Sequence, residues 1–436
     1  MTESILSQIK GILNKKKLTA WQIRQMVQTS FQSFLALTEE ECRRTVSTTI
    51  YIISLYKKRV DKEGKETLGL SQFKIGPQDL AQLEKLIDNA LFSANLVSNI
   101  PFHLPGQPSK LPDVEIYDQT LNGSSLIDFS DRIQSCVSKE KNIRLSAAEF
   151  FINKTEVRQI NHCGLDVTQE DTSIHTEFIL LAKSEKGENE FINRYTRRFL
   201  TDFKLEEEIA QSAQFARDAT LASLPKTGDY PVLISDEPLD HLFNPIIAKT
   251  SARLKFNHMV QSNIGDSILD GTAVGDSITL YSNGLISQAL GTNRFDSYGV
   301  PTNKTLLVEN NIIKNYLADV RYGSYLNLPI TGEIGNVEVL PGSQSFQSLI
   351  SSHPVLYHLQ AFSAFEPNAI TGAFSAEIRA GYEISSQGVR PIKGGSVSGV
   401  LQKALLDCYL SQERVQRERV LVPKGILFSH LTLAGN

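Results

Sequence analysis

Cysteine is scarce and scattered. The four residues Cys42, Cys136, Cys163 and Cys408 lie far apart with no CxxC pair, which excludes a disulfide framework and a zinc knuckle and fits free thiols in a reducing compartment. Long apolar runs are missing too: "TIYIISLY" is the longest obvious stretch, well short of the roughly 20 residues a membrane helix needs. The N-terminus "MTESILSQIKGILNKKK" spaces its apolar residues like a helix face, not in the basic-then-apolar layout of a signal peptide. A cytoplasmic protein without a membrane partner is the expectation. Nor is there a basic excess: 44 Lys and Arg stand against 48 Asp and Glu, a net charge of −4. Direct nucleic-acid binding therefore finds no support in the charge balance. The densest basic run, Asn14 to Lys17, reads as a solvated helix end.

Familiar catalytic signatures also fail on spacing. In "KGGS" Lys393 precedes Gly394 and Gly395, the reverse of a phosphate-binding GxxxxGK[ST] loop. In Gly395-Ser396-Val397-Ser398-Gly399 a valine occupies the nucleophile position of GxSxG. Eight histidines are present, but none forms HExxH; the nearest pair, His353 and His358, is interrupted by Pro354. His162 beside Cys163 needs distant help to chelate anything. No metal site is expected in this chain.

What is present is a chain of 436 residues with 41% apolar and 21% charged residues, a globular balance that favours two domains. Ile5, Leu6, Ile9, Ile12 and Leu13 make one helix face. Thr19 with Gln22 predicts a capped second helix to about Leu37, and Thr38 with Glu41 repeats that signature. Residues 48–58 read as a strand and 76–98 as a helix. The four-proline stretch 100–118 reads as a connecting arm. A helix at 125–138 precedes three alternating bursts over 144–184, an antiparallel meander. A further helix at 204–223 ends in "LPKTGDYP" (224–231), the expected domain joint.

Beyond it, a helical stretch at 238–257 leads into many short strands, with a hairpin through "ENN" (309–311) and a late helix over 399–416. Residues 374–384 alternate strictly between apolar and polar, a strand that turns at "SSQG" and returns to Lys393. The expected fold class is α+β: an N-terminal helix-and-antiparallel-sheet domain (1–225), then a β-rich C-terminal domain (226–436). In "GTNRFDSYGVPTNKT" Arg294 and Asp296 read as an ion pair holding a loop, or as the lining of a groove for a polar chain.

Three stretches in order, "NRFDSYGVPTNKTLLVENNIIKNYLADVRYG", "GEIGNVEVLPGS" and "GAFSAEIRAGYEISSQGVRPIKGGSVSG", resemble the C-terminal domain of the TldD/PmbA family. Upstream, 150–184 with its Asn161-to-Gly164 turn and the helix "LIDNALFSANLVS" are similar to the same family, from about residue 65 onward. The family's proteins are often called modulators of DNA gyrase. The resemblance implies two paralogous subunits that pair into a metallopeptidase with an enclosed cavity for unfolded peptides. The TldD-type subunit carries zinc on an HExxxH helix and the PmbA (TldE-type) subunit lacks that motif. Here the corresponding stretch, "PLDHLFNPIIAKTSARLKFNHMVQ", holds His241 and His258 but no HExxxH.

The resemblance thus implies a non-catalytic PmbA-like partner, with no cofactor of its own and zinc in an HExxxH-bearing paralogue. The strand 374–384 and its glycine bend would wall the cavity, with an edge able to hold an extended peptide. Arg294, Asp296, Glu377, Arg379 and Lys393 are the candidate groove or interface residues. Two alternatives stand beside it: a hydrolase acting alone through an unrecognised site, and a non-enzymatic interaction protein that homodimerises.

Overall fold

Alternating apolar and polar residues, sustained over long stretches, build the N-terminal half. The computed structural model describes residues 2–16, 18–185 and 187–436; Lys17, the last of the basic run, lies outside them. A first helix α1 (Thr2–Lys15) is followed by β1 (Ala20–Ala36), β2 (Glu39–Val60), β3 (Glu66–Ile75), α2 (Leu83–Ala94), α3 (Gly123–Ser138), β4 (Ile143–Asn161), β5 (Asp166–Ser184), β6 (Gly187–Arg197) and α4 (Leu205–Ala219). The strands form one antiparallel sheet in the order β3-β2-β1-β4-β5-β6. The helix pair α1 and α2 buries Ile5, Leu6, Ile9 and Ile87 against Trp21, Ile23 and Ile53. The pair α3 and α4 buries Phe129, Ile133, Ile209 and Ala213 against Phe150 and Phe178.

Residues 20–36 are therefore a strand and not the capped helix that Thr19 and Gln22 predict. The apolar spacing in this segment imitates a helix because both faces of β1 are covered. On one face Ile23 packs under α1 and α2 and Phe31 toward α3, while on the other Met26 packs against Val157, Val167 and Phe295. Pairing with β2 on one side and β4 on the other along nearly its whole length overrides the local signal. Thr19 caps nothing helical; its hydroxyl accepts the amide of Lys58 at 2.7 Å. The second capping signature, Thr38 with Glu41, lies in the β1–β2 hairpin, where Leu37 adopts φ 56°. The meander has two long strands over 144–184 where three bursts are predicted, since β4 runs unbroken to Asn161 after an early bulge between Leu145 and Ala147. The arm at 100–118 carries neither helix nor strand.

The second half begins with β7 (Gly228–Ser235), α5 (Asn244–Lys249), α6 (Ala252–Phe256), β8 (Leu280–Asn283), β9 (Lys304–Glu309), β10 (Ile312–Ile313), α7 (Val320–Leu326), β11 (Asn336–Val339), α8 (Phe346–Ile350) and β12 (Val355–Phe362). It closes with β13 (Ala373–Ser385), β14 (Gly388–Ile392), β15 (Ser396–Val400), α9 (Leu401–Ala404), β16 (Cys408–Leu410), β17 (Arg414–Arg417), β18 (Val420–Pro423) and β19 (Gly425–Ala434). One sheet runs β10-β9-β8-β11-β18-β17, the other β12-β7-β19-β15-β13-β14. The latter closes on itself because β13 pairs with β15 through residues 373–377 and with β12 through 378–385. Val232, Ile246, Leu280, Leu307, Val339 and Phe428 join both sheets and α5 in one core.

The fold is mixed α+β, as the alternation patterns predict. The late helix at 399–416 is an error of the local reading. Only Leu401–Ala404 is α-helical, and Cys408–Leu410 and Arg414–Arg417 are drawn out as strands by pairing with β19 and β18. The "ENN" hairpin is present, with Asn310 and Asn311 both at positive φ, the conformation of a type I′ turn. Among the described residues no helix is long and apolar enough to cross a membrane.

Candidate functional site

A cavity of about 770 Å³ lies where the N-terminal sheet meets the C-terminal half. One wall is the α5–α6 turn, through Asn244, Ile247, Ala248 and Ser251; a second is the 291–302 loop, through Phe295 and Asp296. Arg24 reaches in from β1, Asp319 and Tyr322 from the start of α7, and Glu333 from the loop before β11.

The 291–302 loop is held from the other half of the chain. Phe295 is packed among Val157, Leu165 and Val167 of the β4–β5 hairpin. Gln169 donates to Asn293 at 2.9 Å and accepts the Arg294 amide at 2.9 Å. Gln22 donates to the carbonyl of Ser297 at 2.8 Å. Arg198, 3% exposed, grips the carbonyls of Ala289, Leu290 and Thr292 at 2.7–3.1 Å. Gly299 sits at φ +85°, and a Cβ there would fall 2.4 Å from Leu165, so both conformation and space demand glycine.

Arg294 and Asp296 do not pair. Arg294 donates to the carbonyl of Pro112 at 3.3 Å, tying down the proline-rich arm. Asp296 folds back on its own turn, where Oδ1 accepts the amides of Tyr298 at 2.9 Å and Val300 at 3.0 Å. Its Oδ2 is buried without a partner. Burial first, and then the charge of Glu333, push the carboxyl up to about 7 despite those amides. Asp319, which caps α7 by accepting the Tyr322 amide at 2.7 Å, is also raised, chiefly by burial. Arg24 is lowered by burial although Glu333, Asp296 and Asp171 stand near it.

Of the five residues singled out from the sequence, only Asp296 lines this cavity. Glu377, Arg379 and Lys393 gather elsewhere, close enough for Arg379 and Glu377 to influence the Lys393 ammonium electrostatically. Glu377 is exposed and accepts from Ser363 Oγ at 3.0 Å; Lys393 donates to Asn189 at 2.6 Å. Gly394 and Gly395 both take positive φ, and a Cβ on Gly395 would meet the Ala434 carbonyl at 2.4 Å. That bend is a close-packed corner.

The sequence reading missed Arg24, Asp319 and Glu333. Asp319 and Glu333 were visible inside "YLADVRYG" and "GEIG"; Arg24 was hidden by the helical misreading of β1.

The donors needed for zinc do not fit here. The cavity face of α5 offers asparagine, isoleucine and alanine. His241 faces a separate pocket of about 150 Å³ with Glu237 and Glu366, and His258 is exposed. Cys408 is buried, its thiol pushed up to about 12 by burial and neighbouring aspartates. Among the described residues no three His, Cys, Asp or Glu side chains are grouped to hold a metal ion. Among the described residues two serine–histidine contacts appear: Ser352 Oγ lies 2.7 Å from Nδ1 of the adjacent, exposed His353, and Ser235 Oγ lies 2.8 Å from His358 Nε2. There the serine donates to Asp236 at 2.7 Å, so the carboxylate holds the hydroxyl and not the imidazole. Ser235 is also 2% exposed. This is the reverse of a nucleophile–base–orienter arrangement.

Residues 227–435 match the PmbA/TldA metallopeptidase C-terminal domain. The C-terminal half of the chain is a domain of the TldD/PmbA family. An uncharacterized protein of Methanocaldococcus jannaschii is 24% identical over 87% of this chain and 94% of its own length. A zinc metalloprotease TldD homolog of Saccharolobus solfataricus is 23% identical over 41% of this chain and 42% of its own. Among solved structures, a candidate modulator of a DNA gyrase from Thermotoga maritima superposes with a TM-score of 0.83 at 17% identity, covering 100% of both chains. TldE from Thermococcus kodakarensis does so with a TM-score of 0.81 at 18% identity, again over 100% of both. At such identities these likenesses speak for the fold. The family match places the C-terminal domain among those of a metallopeptidase family.

Proposed function

We propose that this chain is the non-catalytic, PmbA/TldE-type subunit of a two-subunit zinc metallopeptidase that acts on unfolded peptides in the cytoplasm. The observation that carries this reading is the α5 wall. A cavity of about 770 Å³ is built around the helix that corresponds to the family's HExxxH element, yet Asn244, Ile247 and Ala248 occupy its inner face. A chamber is kept while the zinc donors are replaced. Zinc and the general base would then come from an HExxxH-bearing paralogue, and this chain would complete the chamber and position extended peptide. The charged set Glu377, Arg379 and Lys393 serves as a groove or partner-facing patch apart from the cavity.

The test is cleavage of an unfolded peptide by this chain alone, by an HExxxH-bearing paralogue alone, and by the two mixed. Cleavage that needs the mixture and is lost to a zinc chelator is the expected result. Turnover by this chain alone would overturn the assignment. No turnover in any combination, with this chain eluting as a homodimer, would favour an interaction protein.

A further inference from the structure

The charges lining the large cavity are unequal in what they are free to do. Its carboxylates are committed: Asp296 Oδ1 holds two amides of its own turn, Asp319 caps α7, and Glu333 accepts from Ser297 N at 3.1 Å and Ser297 Oγ at 2.5 Å. Its arginines are not. Arg24 from β1, Arg253 from α6 and Arg419 from the turn before β18 converge on the same space. Among the described residues none of the three guanidinium groups makes a hydrogen bond or an ion pair, and Arg24 Nη1 is buried with no acceptor. A guanidinium out of water without an acceptor is costly, and a ligand that brings one removes that cost. The carboxyl most deeply buried in this lining, Asp296, is held partly neutral near pH 7 by burial and by Glu333, which leaves the arginines less opposed than a count of formal charges implies.

We propose that Arg24, Arg253 and Arg419 form a carboxylate receptor in this cavity, so that the chain prefers peptides carrying a free carboxylate, at the C-terminus or on an acidic side chain. This rests on the reading of the cavity as a peptide chamber and adds a substrate preference to it. The planar guanidinium fork suits a carboxylate through paired N–H···O bonds.

The probe is a set of disordered decapeptides of glycine, serine and alanine bearing a neutral dansyl label, with binding to the full chain read by fluorescence anisotropy. One ends in a free carboxylate, one in a carboxamide, and one in a carboxamide with a single internal aspartate. The carboxylate-bearing peptides are expected to bind about tenfold more tightly than the neutral one, the size of one good charge-assisted contact. Preference for the first alone assigns the site to a chain terminus; preference for both assigns it to carboxylates in general.

Arg24→Gln should bring that ratio close to one. Arg253→Gln and Arg419→Gln, at exposed positions where folding is little affected, should each reduce it. Equal binding of all three peptides, or a preference that survives all three substitutions, would overturn the receptor and leave the chamber standing. Failure of all three peptides to bind would overturn the chamber and the receptor with it.

Discussion

The two halves of this chain use β-structure in opposite ways. In the N-terminal half, strands of 17, 22, 19 and 19 residues (β1, β2, β4 and β5) pair in long ladders, and most of their partners are sequence neighbours joined by hairpins. In the C-terminal half many strands have only two to five residues, and pairing is distant: β7 at residue 228 lies against β19 near residue 433. Long ladders make a stiff wall that tolerates polar residues on its surface. Short strands held by remote partners leave room for loops, and most of the cavity lining comes from those loops. The lesson is a division of labour, in which one half supplies rigidity and the other most of the lining, with Arg24 crossing between them.

The seam itself is the place to break that arrangement. Arg198→Met would free the carbonyls of Ala289, Leu290 and Thr292 and leave Asp171, 3.6 Å away, without its partner. Removing one member of a buried charged network costs about 3–5 kcal/mol, the largest effect expected here, read as a lower urea midpoint. A cost below about 1 kcal/mol would mean the halves are held together by other contacts.

Next in size is the Asp296 carboxyl. Its folded pKa of about 7 lies above the ordinary 3.8, so the folded state holds a proton that the unfolded chain has released. The stability tied to that proton is complete below pH 4 and is lost as pH rises through 7. Glu333 and Asp319 face the group and oppose its ionisation, while Arg24 is the nearby cation. Asp296→Asn keeps an Oδ1 acceptor for the Tyr298 and Val300 amides. It should be the more stable form at pH 8, by about 2–4 kcal/mol at most, and gain nothing at pH 4. Urea unfolding at the two pH values separates this from a variant that merely loosens the turn.

Gly395→Ala tests the closed C-terminal sheet at its corner. With φ at +67° and the Ala434 carbonyl 2.4 Å from the new Cβ, it should lower stability by about 1–3 kcal/mol, seen as a lower melting temperature with the cavity preserved.

The same contrast explains what could be read in the sequence. Alternation in 374–384 and the glycine and asparagine turns were legible because hairpin signals are local. Residues 20–36 and 405–417 were misread because their conformation is set by partners elsewhere in the chain: β1 is covered on both faces, and Cys408–Leu410 pairs with Ile426–Phe428. The site suffered for the same reason. Asp296 stood in a conspicuous loop, whereas nothing near Arg24 in sequence says that its side chain ends in a cavity built around 291–335.

The smallest expected effect on folding belongs to Glu377, on a part of β13 away from the cavity. It is exposed, and Ser363 Oγ at 3.0 Å is its side-chain partner, so Glu377→Ala should change stability by less than about 0.5 kcal/mol. If this strand belongs to a groove or a partner-facing patch, peptide turnover by the mixed subunits should nevertheless fall several-fold while this chain's melting temperature holds. The carboxylate would matter there as a charge presented to a peptide or a second subunit, and rim charges act mainly on encounter rates that added salt screens. Measuring the mixed activity at low and high salt therefore sharpens the result. A loss that shrinks at high salt marks a charge that steers association. Unchanged turnover at both salts would confine peptide handling to the arginine-lined cavity between the two halves.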